Sequence, residues 1–249
     1  LIGDIVGYTL NLLLYNNVLA ILLIWKSMRT LFHLPLDPFS RKIRVALGEK
    51  KIEVGLIVEP IWDRRGTFLA LNPAGTVPVL QEPDGSIIAT SQAIAEYLDD
   101  IVPASPLISG DPKTKAEIRR LCCWFDIKFN QEVTEYLVGE KIMKRFLGLG
   151  EPSSEAIRAG YSNMDTHLSY IGHLAEHRTW LAGNDFSLAD ISAAAQLSCL
   201  DYLGDIPWED YQEAKHWYAR IKSRPSFREL LEDYIPGTKP PSHYADLDF

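Results

Sequence analysis

The stretch "PLDPFSRK" (35–42) gathers a carboxylate, Asp37, a hydroxyl, Ser40, and two cations, Arg41 and Lys42, around Pro38. It follows a short apolar run, "TLFHL" (30–34), and leads into "SRKIRVALGEKK" (40–51), where Ile43, Ala46 and Leu47 recur at i, i+3 and i+4 with basic residues opposite. A turn from strand to helix is where a scaffold presents side chains to a ligand, so acid–base or nucleophilic chemistry is sought here first. Ser40 is the only hydroxyl of the turn. It reads either as a donor to a bound group or as a cap of the helix it opens. Thr90 and Ser91 precede the helical pattern "QAIAEYL", where a side-chain oxygen can cap the helix or join its free N–H groups in holding an anion. The three cysteines, Cys122, Cys123 and Cys199, form no C-x-x-C pair and lie in apolar helical patterns, as reduced core thiols of a cytosolic protein do. No residues are assigned to a metal.

Positioning those groups requires a scaffold, and the patterning supplies one. "VGLIVEP" (54–60) is a second strand stopped by Pro60, and "VPVLQE" and "SIIA" are two more, joined by the turn residues "PDG". With the helix at 92–100 the order is βαβ followed by ββα, an α/β unit with one parallel crossover and one hairpin. A Pro-, Ser- and Gly-rich linker follows at 102–113. Beyond it strand signals stop, and Ile118, Leu121, Cys122, Phe125, Phe129, Val133 and Leu137 repeat at helical spacing. Further helices are predicted over 153–176, 187–203, 210–223 and 226–233, giving an all-α bundle over 114–235 packed on an α/β domain over 28–101. Ser187 and Asp190 have capping-box spacing, and Phe186 is placed to staple against Ile191.

Four stretches in order, "DPFSRKIRVALGEKKI", "LNPAGTVPVL", "TSQAIAEYL" and "WLAGNDFSLADI", resemble the glutathione transferase superfamily. The resemblance implies a thioredoxin-like domain with a cis peptide at Pro78, followed by the family's helical bundle. It also implies that Val77 faces the cysteinyl backbone of glutathione and that Ser91 helps to hold the γ-glutamyl carboxylate. Thr90 stands where the family places an acidic residue. Transferases of this kind lower the thiol pKa with a hydroxyl or thiol at the first strand–helix turn. Leu36 cannot donate there, and an ionised Asp37 would raise a neighbouring thiol's pKa. Ser40 is left as the candidate catalytic residue, so the expectation leans towards a scaffold without catalysis, for which glutathione is an optional ligand and no cofactor is required.

Two further stretches point to a protein partner. "EPIWDRRGTF" (59–68) sets Trp62 beside Arg64 and Arg65, the composition of an interface hot spot, the other reading being a Trp62 buried at the domain seam. The last residues, "PGTKPPSHYADLDF" (236–249), join an extended Pro240–Pro241 stem to Tyr244, Asp246, Leu247, Asp248 and Phe249, as in a short docking motif or a self-packed terminus. With this tail, the chain from Met28 resembles the cell-division branch of the superfamily in alphaproteobacteria. That implies a cytoplasmic homodimer at the division site that binds and organises FtsZ filaments and promotes constriction, its tail docking on FtsZ or another division protein. The alternative is an active transferase that conjugates or reduces a small electrophile.

The 249 residues carry a formal net charge of −8, which argues against nucleic acid as a partner. Residues 1–27 are apolar but broken by Asn11, Asn16 and Asn17, and the run Val18 to Trp25 is far short of the ~20 residues of a membrane span. They are expected to be an upstream extension with Met28 as the native start, the alternative being an interfacial anchor; a membrane partner is not expected.

Overall fold

The computed structural model describes residues 28–247. The expectations for residues 1–27, and for Asp248 and Phe249, lie outside the described residues. Strands β1 (Thr30–His33), β2 (Gly55–Val58), β3 (Val79–Gln81) and β4 (Ile87–Ala89) form one sheet in the order β2-β1-β3-β4. β1 and β2 run parallel, pairing Phe32 with Ile57, while β1/β3 and β3/β4 run antiparallel. Helix α1 (Pro38–Glu49) is the crossover between the parallel pair, and α3 (Ser91–Ile101) follows the hairpin. This is the thioredoxin-like arrangement read from the sequence. The Val77–Pro78 peptide is cis, as the resemblance implied. A short α2 (Gly66–Leu71) had no sequence forecast; only Phe68 is buried, so one turn of helix leaves almost no apolar period to read.

All-helical structure follows. Helix α4 begins as Pro112–Cys123 and stays helical to Leu147 through two π-helical stretches, Trp124–Thr134 and Gly139–Met143. Then come α5 (Ser154–His177), α6 (Leu188–Leu203), α7 (Gln212–Lys222) and α8 (Pro225–Leu231). α6 is buried almost all round and is the axis of the bundle, with Ile191, Leu197 and Leu200 fully covered. Its capping box forms: the Asp190 carboxylate accepts from the Ser187 backbone N–H at 3.0 Å. It also accepts from the Leu181 N–H and the Trp217 indole, tying three segments to one buried acid.

The seam between sheet and bundle corrects one sequence reading. Basic residues opposite the apolar stripe of α1 read as a solvated face, but Arg41 and Lys42 are both fully buried where α1 packs on the bundle. Arg41 donates to the Pro35 carbonyl at 2.6 Å and to Ser198 Oγ at 2.9 Å, and Lys42 Nζ meets Asp126 at 2.5 Å. Helical periodicity shows which residues share a face but not what covers it. Buried cations of this kind persist only with partners, which here come from both halves of the chain, Pro35 and Gln92 on one side and Ser198 and Asp126 on the other.

Candidate functional site

The turn that opened the sequence reading is built inward. Asp37 is the N-cap of α1, its Oδ2 accepting from the Ser40 N–H at 2.6 Å. The Ser40 hydroxyl accepts from the Leu34 N–H at 3.2 Å, and the residue is fully buried. Ser40 is therefore a structural part of the turn, and it is not among the residues that line the cleft beside it. Burial outweighs the Ser40 hydrogen bonds and pushes the Asp37 carboxyl up to about 6. Burial also pushes the Cys199 thiol to about 12 and the Cys122 thiol to about 11, so neither is a ready nucleophile.

Asp37 forms part of the wall of a cleft of about 700 Å³ between the two halves of the chain. One side is the turn from Leu34 to Phe39; the opposite side is α4, which contributes Asn130, Thr134, Val138, Ile142 and Phe146. Apart from Phe146, these wall residues lie in or beside the π-helical stretches, whose wider turns shift the side-chain period away from the 3.6-residue count. Val58, Ile61 and Trp62 close a third side, and Tyr234 to Pro236 a fourth. Trp62 stacks on Phe146, ring centroids 5.0 Å apart and planes 5° from parallel. It is half-buried and joins the turn after β2 to α4.

The other candidates scatter. Arg64 is exposed and left-handed (φ 45°) just after the 3-10 turn Ile61–Asp63. The exposed Arg65 guanidinium pairs with the fully buried Glu59 and neutralises an acid that water cannot reach. Val77, Pro78 and Ser91 are buried and Thr90 is exposed; none of the four lines the cleft. Thr90, not Ser91, occupies the cap position of α3, at φ 74°, a conformation that a β-branched residue rarely holds. No side-chain cap hydrogen bond closes the start of that helix. The free N–H groups there, next to the Ser91 hydroxyl and the cis-proline turn, retain what an anionic group would need.

The tail takes the self-packed alternative as far as Tyr244. Its stem reaches a 3-10 turn, Ser242–Tyr244, that packs back on the bundle. Tyr244 is fully buried, its hydroxyl donating to the Leu230 carbonyl at 2.9 Å and its ring edge-on to Tyr202 at 5.1 Å. His243 Nε2 lies 3.1 Å from the buried Asp201 carboxylate, and Lys222 Nζ donates to the His243 carbonyl at 3.0 Å. Burial moves Asp201 up and Lys222 down from their ordinary values. Tyr244 is thus an anchor and not a docking contact, while Asp246 is exposed and Leu247 partly so.

Comparison with known proteins accounts for this combination of cis-proline turn, open helix start and helical bundle. The family model for the glutathione S-transferase N-terminal domain matches residues 38–101, and that for its C-terminal domain matches residues 153–225. The chain belongs to the glutathione S-transferase family. It is 47% identical over 224 residues to FtsZ-localized protein A of Caulobacter vibrioides, covering 89% of this chain and 98% of that protein. The solved structure of FzlA from C. crescentus superposes with a TM-score of 0.87 at 47% identity, over 89% of this chain and all of that one. A glutathione S-transferase structure from Rhodospirillum rubrum F11 superposes equally, with 53% identity and the same coverage. Maleylacetoacetate isomerase of Pseudomonas aeruginosa is 39% identical over 209 residues, 80% of this chain and 93% of that enzyme. Against the transferase scaffold, this chain keeps the cis-proline turn and an uncapped α3, while the hydroxyl at its first turn is buried and accepts from the Leu34 N–H.

Proposed function

We propose that this chain is a noncatalytic FtsZ-binding protein on a transferase scaffold, which organises FtsZ filaments and promotes constriction as a cytoplasmic homodimer at the division site. The observation that carries the reading is the likeness to FtsZ-localized protein A, which runs through 98% of that relative. Ser40 supports the noncatalytic half, because the one hydroxyl of the first turn is fully buried and is not among the residues that line the cleft. Trp62 at the mouth of the cleft, with Arg64 beside it and Asp246 on the anchored tail, are the contacts we assign to the filament. Arg suits an acidic surface, and a half-buried Trp supplies a pre-ordered apolar anchor. Co-sedimentation tests this: the wild-type chain pellets with FtsZ filaments, and Trp62→Ala and Asp246→Lys pellet less while remaining folded. Wild-type protein left in the supernatant would remove the proposal.

A second reading, an active transferase using glutathione on a small electrophile in the cleft, is favoured by the open start of α3 and by the 39% identity to an isomerase. Titration calorimetry with glutathione separates the two. Heat at millimolar ligand together with conjugation of an electrophile supports the enzyme, and no heat leaves it without a cosubstrate.

A further inference from the structure

The last turn of α5 carries "HLAEH", which sets His173, Glu176 and His177 at i, i+3 and i+4, on one stripe of the helix. All three side chains are exposed, and one donor atom from each lies within 4.8 Å of the others. The imidazole centroids are 4.5 Å apart. We propose that this stripe is a binding site for a divalent late transition metal of the zinc class, with His173, His177 and Glu176 as its ligands.

Four features converge on that ion class. Two imidazole nitrogens and a carboxylate oxygen are the donor set that zinc, copper and nickel prefer over magnesium or calcium. Tetrahedral Zn²⁺ with bonds of about 2.0–2.1 Å places neighbouring donors about 3.3 Å apart, a closure that exposed side chains reach by rotating about χ1 and χ2. His177 Nδ1 sits 2.8 Å from the His173 carbonyl oxygen; donating its N–H there leaves the Nε2 lone pair facing outwards, the orientation that ligating histidines take from such a partner. The site also lies at the C-terminal end of a 24-residue helix, where unpaired carbonyls and the helix dipole favour a cation. The neighbouring cations are turned to other work: Arg178 is held by Glu117 and the Leu181 carbonyl, and Arg220 by the Thr179 carbonyl and the Trp180 ring face. Three protein donors leave at least one coordination position for water or for a ligand from another molecule.

The test is calorimetric titration of the full chain, stripped of metal and free of any histidine tag, with ZnCl₂, paired with visible absorption on titration with CoCl₂. The expected result is one metal per chain, a thermal midpoint raised by Zn²⁺, and at least about tenfold weaker binding in His173→Ala and in His177→Ala. Because these residues are exposed, the variants keep the wild-type far-UV spectrum and metal-free midpoint. Undiminished binding in the His173→Ala/His177→Ala double variant would place the metal elsewhere and overturn the proposal, as would no saturable binding by the wild type.

Discussion

Replacing Tyr244 separates an anchored tail from a free docking peptide. The residue is fully buried, its ring meets Tyr202 edge-on and its hydroxyl satisfies the Leu230 carbonyl. Tyr244→Phe removes only the hydroxyl, and the Leu230 carbonyl keeps its bond from the Asp233 N–H at 3.3 Å, so the loss is about 1 kcal/mol. Tyr244→Ala also removes the ring and leaves a cavity beside Tyr202, which for buried aromatics amounts to about 3–5 kcal/mol. The tail can open without the bundle, so the global effect is capped at the free energy of tail docking, beyond which the segment simply detaches. Two assays are therefore needed. Urea unfolding reads the global loss, and limited proteolysis with hydrogen exchange over residues 236–246 reads local release. Tyr244→Ala should expose the tail to cleavage and make its amides exchange faster, with Tyr244→Phe intermediate. A Tyr244→Ala protein as stable and as protease-resistant as the wild type would refute the anchor, because a solvated docking peptide loses nothing on truncation.

Asp37 gives a pH signature. Its folded-state value near 6, against an ordinary 3.8, means that folding is penalised once pH rises through the folded value and is free of that penalty below the unfolded one. Asp37→Asn keeps a capping oxygen and should stabilise the protein by about 1–2 kcal/mol at pH 7 while leaving it unchanged near pH 4; equal gains at both pH values in urea titrations would contradict this. Arg41→Met removes the cation that joins Pro35, Ser198 and Asp233 across the seam, and unfolding should show a loss of about 3–5 kcal/mol or separate transitions for the two halves. Arg65→Ala strands the buried Glu59 and should lower the thermal midpoint, and a second change, Glu59→Gln, should restore part of it; no recovery would mean that the pair is not the cause.

Local signals in the chain carried the fold well. Alternation and turn residues located all four strands, and the Ser187/Asp190 spacing foretold a capping box that forms. The site was less legible because its walls come from distant segments. Phe146 and Ile142 reach the cleft from a helix whose π stretches break the period by which helix faces are assigned, and nothing in their spacing marks them. Ser40 and Arg65 were read by residue type, whereas their partners, the Leu34 N–H and Asp37 for one and Glu59 for the other, decide what they do. Tyr244 looked like part of a motif because composition records that a tail is apolar without recording the pocket that receives it. The His173–Glu176–His177 stripe has the H-x-x-E-H spacing of a known zinc-binding pattern, but no metal was assigned to it from the sequence, and it is the exposure and proximity of the three side chains that mark it.

The most direct test of the account is quantitative pelleting of the purified chain with polymerised and with unpolymerised FtsZ. Saturable enrichment in the polymer pellet, without any conjugation of a model electrophile by glutathione, is the predicted result. Turnover of the electrophile with no enrichment would contradict it and return the protein to the enzymes of its family.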